Sequence, residues 1–402
     1  MVLLTVGVAA LGYNLRGAIT SLPPIFPELA GRLRLSAAAV SVLAAAPVLC
    51  FAVVSGFAAW LARRLGEERV LLLAVLALIA GLLLRAAAPA VALLPGTILA
   101  AAAIAVMNVL LSSLIKRRWP SRAGLLVGVY ITALSLGAIV GSVAAVPLWN
   151  ATGGSVPLAL GWLAAPAALA AVIWLPQLRR RPPGQADSPL PPPPRVAVHR
   201  HALAWQVMVF MGTQSLLYYA ALSYLPSILR DRGASAGTAG NLLALMGAGN
   251  LAVSLLVPVL AQRMRAQHAL VVPTVVAMVV GLAGAVYAPL GSAPLWVLIL
   301  GAGQNAALSL AIFFTMARAP HPAAAASLSA LAQAAGYLLA SAGPLEVGLL
   351  RSATGSWNPP LAVLFGLNAV LLVSGLLAAR SRVLPDGTER AGAGTDATIR
   401  SV

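Results

Sequence analysis

Charge and cysteine are both scarce in this sequence of 402 residues. Charged residues make up 9% of it and only nine residues are acidic, whereas hydrophobic residues make up 60%. That balance lies far outside the range of soluble globular domains and indicates an integral membrane protein. The one cysteine, Cys50, lies within an apolar run, so an intramolecular disulfide is excluded and we interpret Cys50 as a packing residue.

Several kinds of functional site are missing as well. The sequence has no G-x-x-x-x-G-K-[ST] phosphate-binding loop, which argues against direct coupling to ATP. Its four histidines show no metal-ligand spacing. The net charge of +17 comes from short basic clusters between apolar runs and not from one basic face. We therefore expect no enzymatic activity, no cofactor, no metal site and no nucleic-acid partner.

Long apolar runs recur from one end of the chain to the other. Each is long enough to cross roughly 30 Å of hydrocarbon as an α-helix. They predict an all-α integral membrane protein with twelve transmembrane helices. The predicted spans are 2–27, 36–62, 70–88, 91–115, 123–149, 156–176, 202–229, 236–261, 269–288, 294–317, 323–350 and 358–379.

The distribution of Lys and Arg predicts the orientation. Nineteen of the 26 basic residues fall in the loops and tail on the side of the N-terminus, and five fall on the other side. Because basic loops stay in the cytoplasm, both termini are predicted to be cytoplasmic. We expect a multi-pass protein of the cell (inner or plasma) membrane.

A Pro- and Arg-rich stretch divides the chain into two halves. It follows the sixth predicted helix and is typical of a flexible linker. The predicted units are an N-terminal six-helix bundle (1–176), a cytoplasmic linker (177–201), a C-terminal six-helix bundle (202–380) and a disordered cytoplasmic tail (381–402).

The two halves also repeat each other in sequence. A shift of 199 positions aligns Ser36 with Ser235, each at the start of a predicted helix, and Gly137 with Gly336. Two parallel six-helix repeats joined by a long loop resemble the architecture of the major facilitator superfamily, in which two bundles rock about a central site.

The basic turn after the second predicted helix also resembles that superfamily, namely its conserved cytoplasmic loop motif. The turn contains Arg63, Arg64, Gly66 and Arg69, and we assign these residues to conformational gating. Arg63 stands where the motif has an aspartate, so the charge interaction that the motif usually makes with a neighbouring helix is in question here.

One arginine, Arg16, lies about halfway along the first predicted span. A charge near the bilayer centre costs roughly 2.5–3.5 kcal/mol on insertion scales, and arginine cannot lose its proton to escape that cost. Only one acidic residue, Glu346, lies within a predicted span, and we consider it a possible coupling residue. We therefore expect Arg16 to bind an anionic ligand in an aqueous cavity. The alternative is a structural arginine that caps backbone carbonyls.

Other polar residues recur at helical spacing. Pro23 and Pro24 break the outer part of helix one, which favours bending of a gate. For any single polar pair, hydrogen bonding between helices is the alternative to ligand binding. We interpret Tyr130, Gln333 and Tyr337 as structural residues or as residues that support the lining from behind, and Arg85 as an interfacial residue. The candidate substrate-binding residues are Tyr13, Asn14, Arg16 and Thr20 on helix one, Asn108 on helix four, Gln214 and Tyr218 on helix seven, and Gln304 and Asn305 on helix ten.

Four stretches carry a closer resemblance. They are "NLRGAITSLPPIFPEL" (14–29), "LAAAPVLCFAVVSGFAAWLARRLGEERVLLL" (43–73), "AVMNVLLSSLIKRRWP" (105–120) and "WQVMVFMGTQSLLYYA" (205–220). Together they resemble the cyanate and 2-nitroimidazole transporter family within the major facilitator superfamily. The resemblance implies a cavity lined by helices one, four, seven and ten. Residues that match the family's recurrent polar positions are Asn14, Arg16, Asn108, Gln214 and Tyr218.

The resemblance implies secondary transport of a small anion such as cyanate, or of a small planar nitro-heterocycle, by alternating access. The expected partners are that small substrate, for which we expect an anion, and the lipid bilayer, and we expect a monomer. One alternative is an exporter of lipophilic, drug-like compounds in which Arg16 is structural. Another is a membrane receptor or scaffold that uses the proline-rich linker.

Overall fold

The computed structural model describes residues 2–87, 91–118, 122–179 and 197–385. The described part is helical and contains no β-strand. Most of the predicted linker and of the predicted tail lies outside the described residues. The helices are α1 (Val2–Thr20), α2 (Phe26–Leu33), α3 (Ala37–Leu65), α4 (Glu67–Ala87), α5 (Leu93–Arg118), α6 (Ala123–Ala151), α7 (Val156–Gly161), α8 (Ala164–Trp174), α9 (Ala202–Asp231), α10 (Ala236–Ala248), α11 (Asn250–Arg263), α12 (His268–Tyr287), α13 (Ala293–Ala317), α14 (Pro322–Thr354) and α15 (Asn358–Ala378).

Each predicted span overlaps at least one helix, and several spans are divided between two. Span 156–176 is formed by α7 and α8, and span 236–261 by α10 and α11. Across the described ranges, nine segments are long and apolar enough to cross a membrane. The all-helical membrane fold is therefore confirmed, while the count of twelve spans and the sidedness of the termini stay predictions.

Serine caps set the start of equivalent helices in the two halves. The Oγ of Ser36 accepts a hydrogen bond from the backbone N–H of Ala39 at the start of α3. Likewise, the Oγ of Ser235 accepts from Thr238 at the start of α10. Such caps satisfy N–H groups that have no partner within the helix. The repeat of 199 positions thus coincides with a repeated structural device.

Glycines allow the backbones of paired helices to touch. A Cβ built on Gly137 of α6 would lie 1.9 Å from the carbonyl oxygen of Tyr13 in α1. The positions 199 residues later, Gly212 of α9 and Gly336 of α14, also meet, since a Cβ on Gly212 would lie 3.1 Å from the Gly336 Cα. Small residues are what close helix packing in membranes requires. They bring α1 and α9, the two helices that carry the site, deep into the protein.

The two halves meet along α3 and α14 and along α6 and α10, and an ion pair joins α2 to α9 at the end of the molecule that is predicted to face outside. Glu28 of α2 forms an ion pair with Arg230 of α9, and the closest N–O distance is 2.7 Å. A Cβ on Gly240 of α10 would lie 3.0 Å from the Ser142 carbonyl oxygen of α6. These contacts close the predicted outer end above the centre of the protein.

Candidate functional site

A central cavity of about 60 Å³ lies between α1, α3, α5, α6, α9 and α14. Of the four helices expected to line the cavity, α1, α5 and α9 line it and α13 does not, while α3, α6 and α14 contribute as well. Apolar residues form about half of the wall. The polar and aromatic residues that line the cavity are Arg16, Thr20, Phe51, Asn108, Tyr218, Tyr219 and Tyr337.

Among the residues that the structure describes, Arg16 has one hydrogen-bond partner. Its Nη1 donates to the hydroxyl of Tyr218 at 2.5 Å, and its Cζ lies 5.2 Å from the centre of the Tyr218 ring. No carboxylate of the described chain forms an ion pair with Arg16. A guanidinium group has five N–H donors, so most of its hydrogen-bonding capacity is available to the cavity.

A second cavity of about 20 Å³ adjoins the first. It shares Arg16, Thr20 and Tyr218 with the larger one and adds Ser135 and Asn305. The Asn305 amide nitrogen donates to the Gly301 carbonyl oxygen at 2.8 Å, and the amide oxygen of Asn305 has no partner among the described residues. Arg16 thus lies between two small chambers.

Asn108 and Thr20, two of the candidate residues, line the larger cavity. The Asn108 side-chain oxygen accepts a hydrogen bond from the hydroxyl of Tyr130, which lies behind it. Thr20 donates its proton to the carbonyl oxygen of Ala138 at 2.9 Å and to that of Arg16 at 3.2 Å. Tyr130 therefore supports a lining residue, in agreement with the role expected for it.

Four of the candidate residues face elsewhere. Tyr13 lines neither cavity. The Asn14 amide donates to the carbonyl oxygens of Ala10 and Pro166, at 2.8 and 3.2 Å. Two residues along a helix turn the side chain by about 200°, so Asn14 points away from Arg16 and toward α8.

Gln214 and Gln304 are both buried outside the two linings. The Gln214 amide donates to the hydroxyl of Ser215 at 2.6 Å. The Gln304 amide donates to the Leu217 carbonyl oxygen at 3.5 Å, and its side-chain oxygen has no partner within the described chain. Gln304 thus bonds from α13 to α9, which is the interhelical alternative that the sequence left open, whereas Gln214 bonds within α9 itself.

Tyr219 and Tyr337 are site residues that the sequence reasoning missed or placed second. Both line the larger cavity, where Phe51 lies between them with ring centres 6.5 Å and 5.9 Å away. The adjacent tyrosines of "LLYYA" were the available signal, because aromatic residues make up only 5% of the chain.

α1 ends just before the prolines that predicted a break, and a side chain of α6 donates a hydrogen bond to a carbonyl oxygen there. Pro23 and Pro24 begin a short 3₁₀ turn between α1 and α2. Because proline has no N–H, carbonyls of the preceding turn lose their usual partner. The Ser142 hydroxyl donates to the carbonyl oxygen of Thr20 at 3.4 Å.

The assignment of Arg85 to the membrane interface was wrong. Its side chain is only 1% exposed and donates to the carbonyl oxygens of Ala18 and Leu160, at 3.0 and 3.3 Å. Arg85 thus caps backbone carbonyls of two neighbouring segments. Arg85 connects α1 to α7, and its contact in α1, Ala18, lies two residues after Arg16.

The remaining candidates lie away from both cavities. Glu346 is half-buried in α14, and one of its carboxylate oxygens has no partner among the residues described. Arg63, Arg64 and Arg69 are exposed at the junction of α3 and α4, where Gly66 has a φ of 85° that favours glycine. None of these residues can contact a ligand in the central cavity.

Comparison with known proteins establishes the family. The model of the Major Facilitator Superfamily matches residues 2–344. The chain belongs to the major facilitator superfamily. Solved structures agree on the fold: the inward-open xylose transporter XylE from E. coli superposes with a TM-score of 0.71 at 16% identity, covering 96% of this chain and 98% of that one.

Three relatives of this major facilitator protein match over most of its length. An uncharacterized transporter, YycB of Bacillus subtilis, is 36% identical over 95% of this chain and 94% of its own. The 2-nitroimidazole transporter of Escherichia coli is 34% identical, covering 95% and 96%. The cyanate transport protein CynX of Escherichia coli is 30% identical, covering 86% and 89%.

Proposed function

We propose that this protein is a secondary-active carrier that moves a small anion across the cell membrane by alternating access. The observation that carries the proposal is the position of Arg16, which lies on the central cavity and has a tyrosine as its one hydrogen-bonding partner in the described part of the chain. The proposal includes two rocking six-helix bundles and a monomeric carrier.

Arg16 fits the role of substrate-charge partner because no carboxylate among the described residues pairs with its charge. A cation in surroundings of low dielectric constant is costly unless it is paired. A bound anion supplies the missing charge and lowers the cost of closing the cavity around Arg16. An empty carrier keeps the unpaired cation, so we expect it to change conformation more slowly than the loaded one.

The size of the site supports a small substrate. Sites for drug-sized ligands measure about 300–1,000 Å³, whereas the two chambers here measure about 60 and 20 Å³. The 2-nitroimidazole and cyanate transporters are relatives whose names specify small solutes. We therefore propose a cyanate-like anion or a small planar nitro-heterocycle, in preference to a lipophilic drug.

The other candidates receive supporting roles. Thr20, Asn108 and Tyr218 line the larger cavity and orient the substrate by hydrogen bonds, and Asn305 does so in the smaller one. Glu346 remains our candidate for ion coupling from a position outside the cavity.

The test is uptake of radiolabelled cyanate, and of a labelled nitroimidazole, into proteoliposomes. Loss of a charged partner costs about 2 kcal/mol or more, so we expect Arg16→Gln to reduce uptake by roughly thirtyfold or more, and Arg16→Lys to retain part of it. Arg382→Gln, an exposed arginine beyond α15, is the control. Full uptake by the Arg16→Gln variant would refute the proposal.

A further inference from the structure

We infer that Tyr219 and Tyr337 are substrate-binding residues that present hydrogen-bond donors and select an anion that only accepts hydrogen bonds. This inference rests on the proposed function and deepens it by naming the class of anion. It starts from which polar atoms around the larger cavity are already engaged and which are left over.

The hydroxyls of Tyr219 and Tyr337 are left over. Both residues line the cavity beside Arg16, and neither hydroxyl has a hydrogen-bond partner within the described chain. Neither is among the polar atoms that the protein seals off completely. Both are therefore open to the cavity, where a ligand can reach them.

Tyr218 and Asn108 have each used an acceptor and kept a donor. The Tyr218 oxygen accepts a hydrogen bond from Arg16, so its own proton is free to point elsewhere. The side-chain oxygen of Asn108 accepts from Tyr130, which leaves the amide N–H groups. Arg16 itself has donors and no acceptor.

Thr20 is the exception in this lining. Its proton goes to the Ala138 carbonyl, so it offers the cavity only a lone pair. Arg16 and the Asn108 N–H groups can only donate, and the hydroxyls of Tyr218, Tyr219 and Tyr337 each add a proton to the lining besides their oxygen lone pairs. A tyrosine beside a cation also turns its negative oxygen toward that cation and its proton away from it, which increases the excess of hydrogen-bond donors over acceptors that face the cavity.

Such a lining distinguishes ligands by their own hydrogens. An anion with lone pairs on every side satisfies all the donors, whereas a ligand with an O–H or N–H brings a proton against protein protons and leaves a donor unsatisfied. A site built around hydrogen bonds rejects a mismatched analogue strongly because buried polar groups remain unpaired. Nitrate and bicarbonate isolate this property: both are planar monoanions of three oxygens, and bicarbonate alone carries a hydroxyl.

The experiment measures binding to the purified full-length protein by calorimetry and by thermal shift at mildly alkaline pH. The probes are nitrate, bicarbonate and cyanate, with ionic strength held constant by gluconate. We expect nitrate and cyanate to bind at least about tenfold more tightly than bicarbonate. Tyr219→Phe and Tyr337→Phe each remove one hydroxyl and are expected to weaken nitrate binding by roughly tenfold. Tyr287→Phe, at an exposed tyrosine, is the matched control.

The outcomes separate this inference from the proposed function. Equal binding of nitrate and bicarbonate, or nitrate binding that neither Phe variant weakens, would overturn the donor-selection inference even where Arg16→Gln abolishes binding. Anion binding that survives in Arg16→Gln, or no binding of any of the three probes, would overturn the proposed function and this inference with it.

Discussion

The ion pair between Glu28 and Arg230 is expected to hold the predicted outer end closed. It joins α2, which follows the helix of Arg16, to α9, which carries Tyr218. The ion pair and the Arg16–Tyr218 hydrogen bond both connect residues that are 202 positions apart. Both therefore join the start of the N-terminal half to α9, the ion pair at the gate and the hydrogen bond at the site.

The strength of this pair follows from its partial burial. The side chains are 24% and 22% exposed, and the N–O distance is 2.7 Å. Exposed pairs contribute about 0.2–1 kcal/mol, and breaking a fully buried pair costs about 3–5 kcal/mol. An intermediate value of about 1–2 kcal/mol corresponds to a five- to thirtyfold shift in the population with an open outer end.

Thiol labelling can measure that shift. In a Cys50→Ala background, Ser142→Cys places one thiol beneath the gate, on the smaller cavity. A membrane-impermeant reagent added from outside is expected to label it about five to thirty times faster when Glu28→Gln is also present. The exchange of Glu28→Arg with Arg230→Glu is expected to restore slow labelling.

The control for this measurement is Asp231→Asn. Asp231 is adjacent to Arg230, but it pairs with Arg351 of the same half, at 3.1 Å. Labelling that is equally slow with and without Glu28→Gln would refute the gate, as would a charge exchange that leaves labelling fast.

Two further changes test the packing around the site. Gly137→Ala is expected to lower the melting temperature markedly, because its Cβ would lie 1.9 Å from the Tyr13 carbonyl oxygen. The control is Gly128→Ala in the same helix, whose Cβ would meet nothing within 4 Å and which should melt like the wild type. Equal melting temperatures of the two variants would contradict this packing. Arg85→Met is expected to reduce uptake by leaving the Ala18 and Leu160 carbonyls without their donor, and Arg85→Lys to restore part of it; an unchanged uptake rate in Arg85→Met would show that the cap is dispensable.

Much of the fold could be predicted from the sequence because its signals are local. Apolar runs gave the helices, Pro23 and Pro24 gave the break after α1, and Ser36 and Ser235 gave the equivalent caps. Each of these signals depends on a residue and its near neighbours. The divisions of spans six and eight were not visible because α7, α8, α10 and α11 continue one apolar run across each break.

The site was harder to predict than the fold. Arg16 stood out because a charge in a membrane span demands compensation. The sequence did not show which face of a helix points toward the cavity, because lipid and protein neighbours are both apolar and leave no polar stripe as a guide. Asn14 and Gln304 were therefore placed in the cavity although they face other helices. Tyr337 was undervalued for the same reason.

The most direct test of the account is the position of a bound anion. Selenocyanate has the shape of cyanate, and its selenium scatters anomalously, so a crystal structure of the complex would locate it without ambiguity. The account predicts one anomalous peak in the cavity of about 60 Å³, in contact with the Arg16 guanidinium and the Tyr218 hydroxyl. A cavity without a peak, while Arg16 keeps only its protein partner in the presence of saturating selenocyanate, would contradict it.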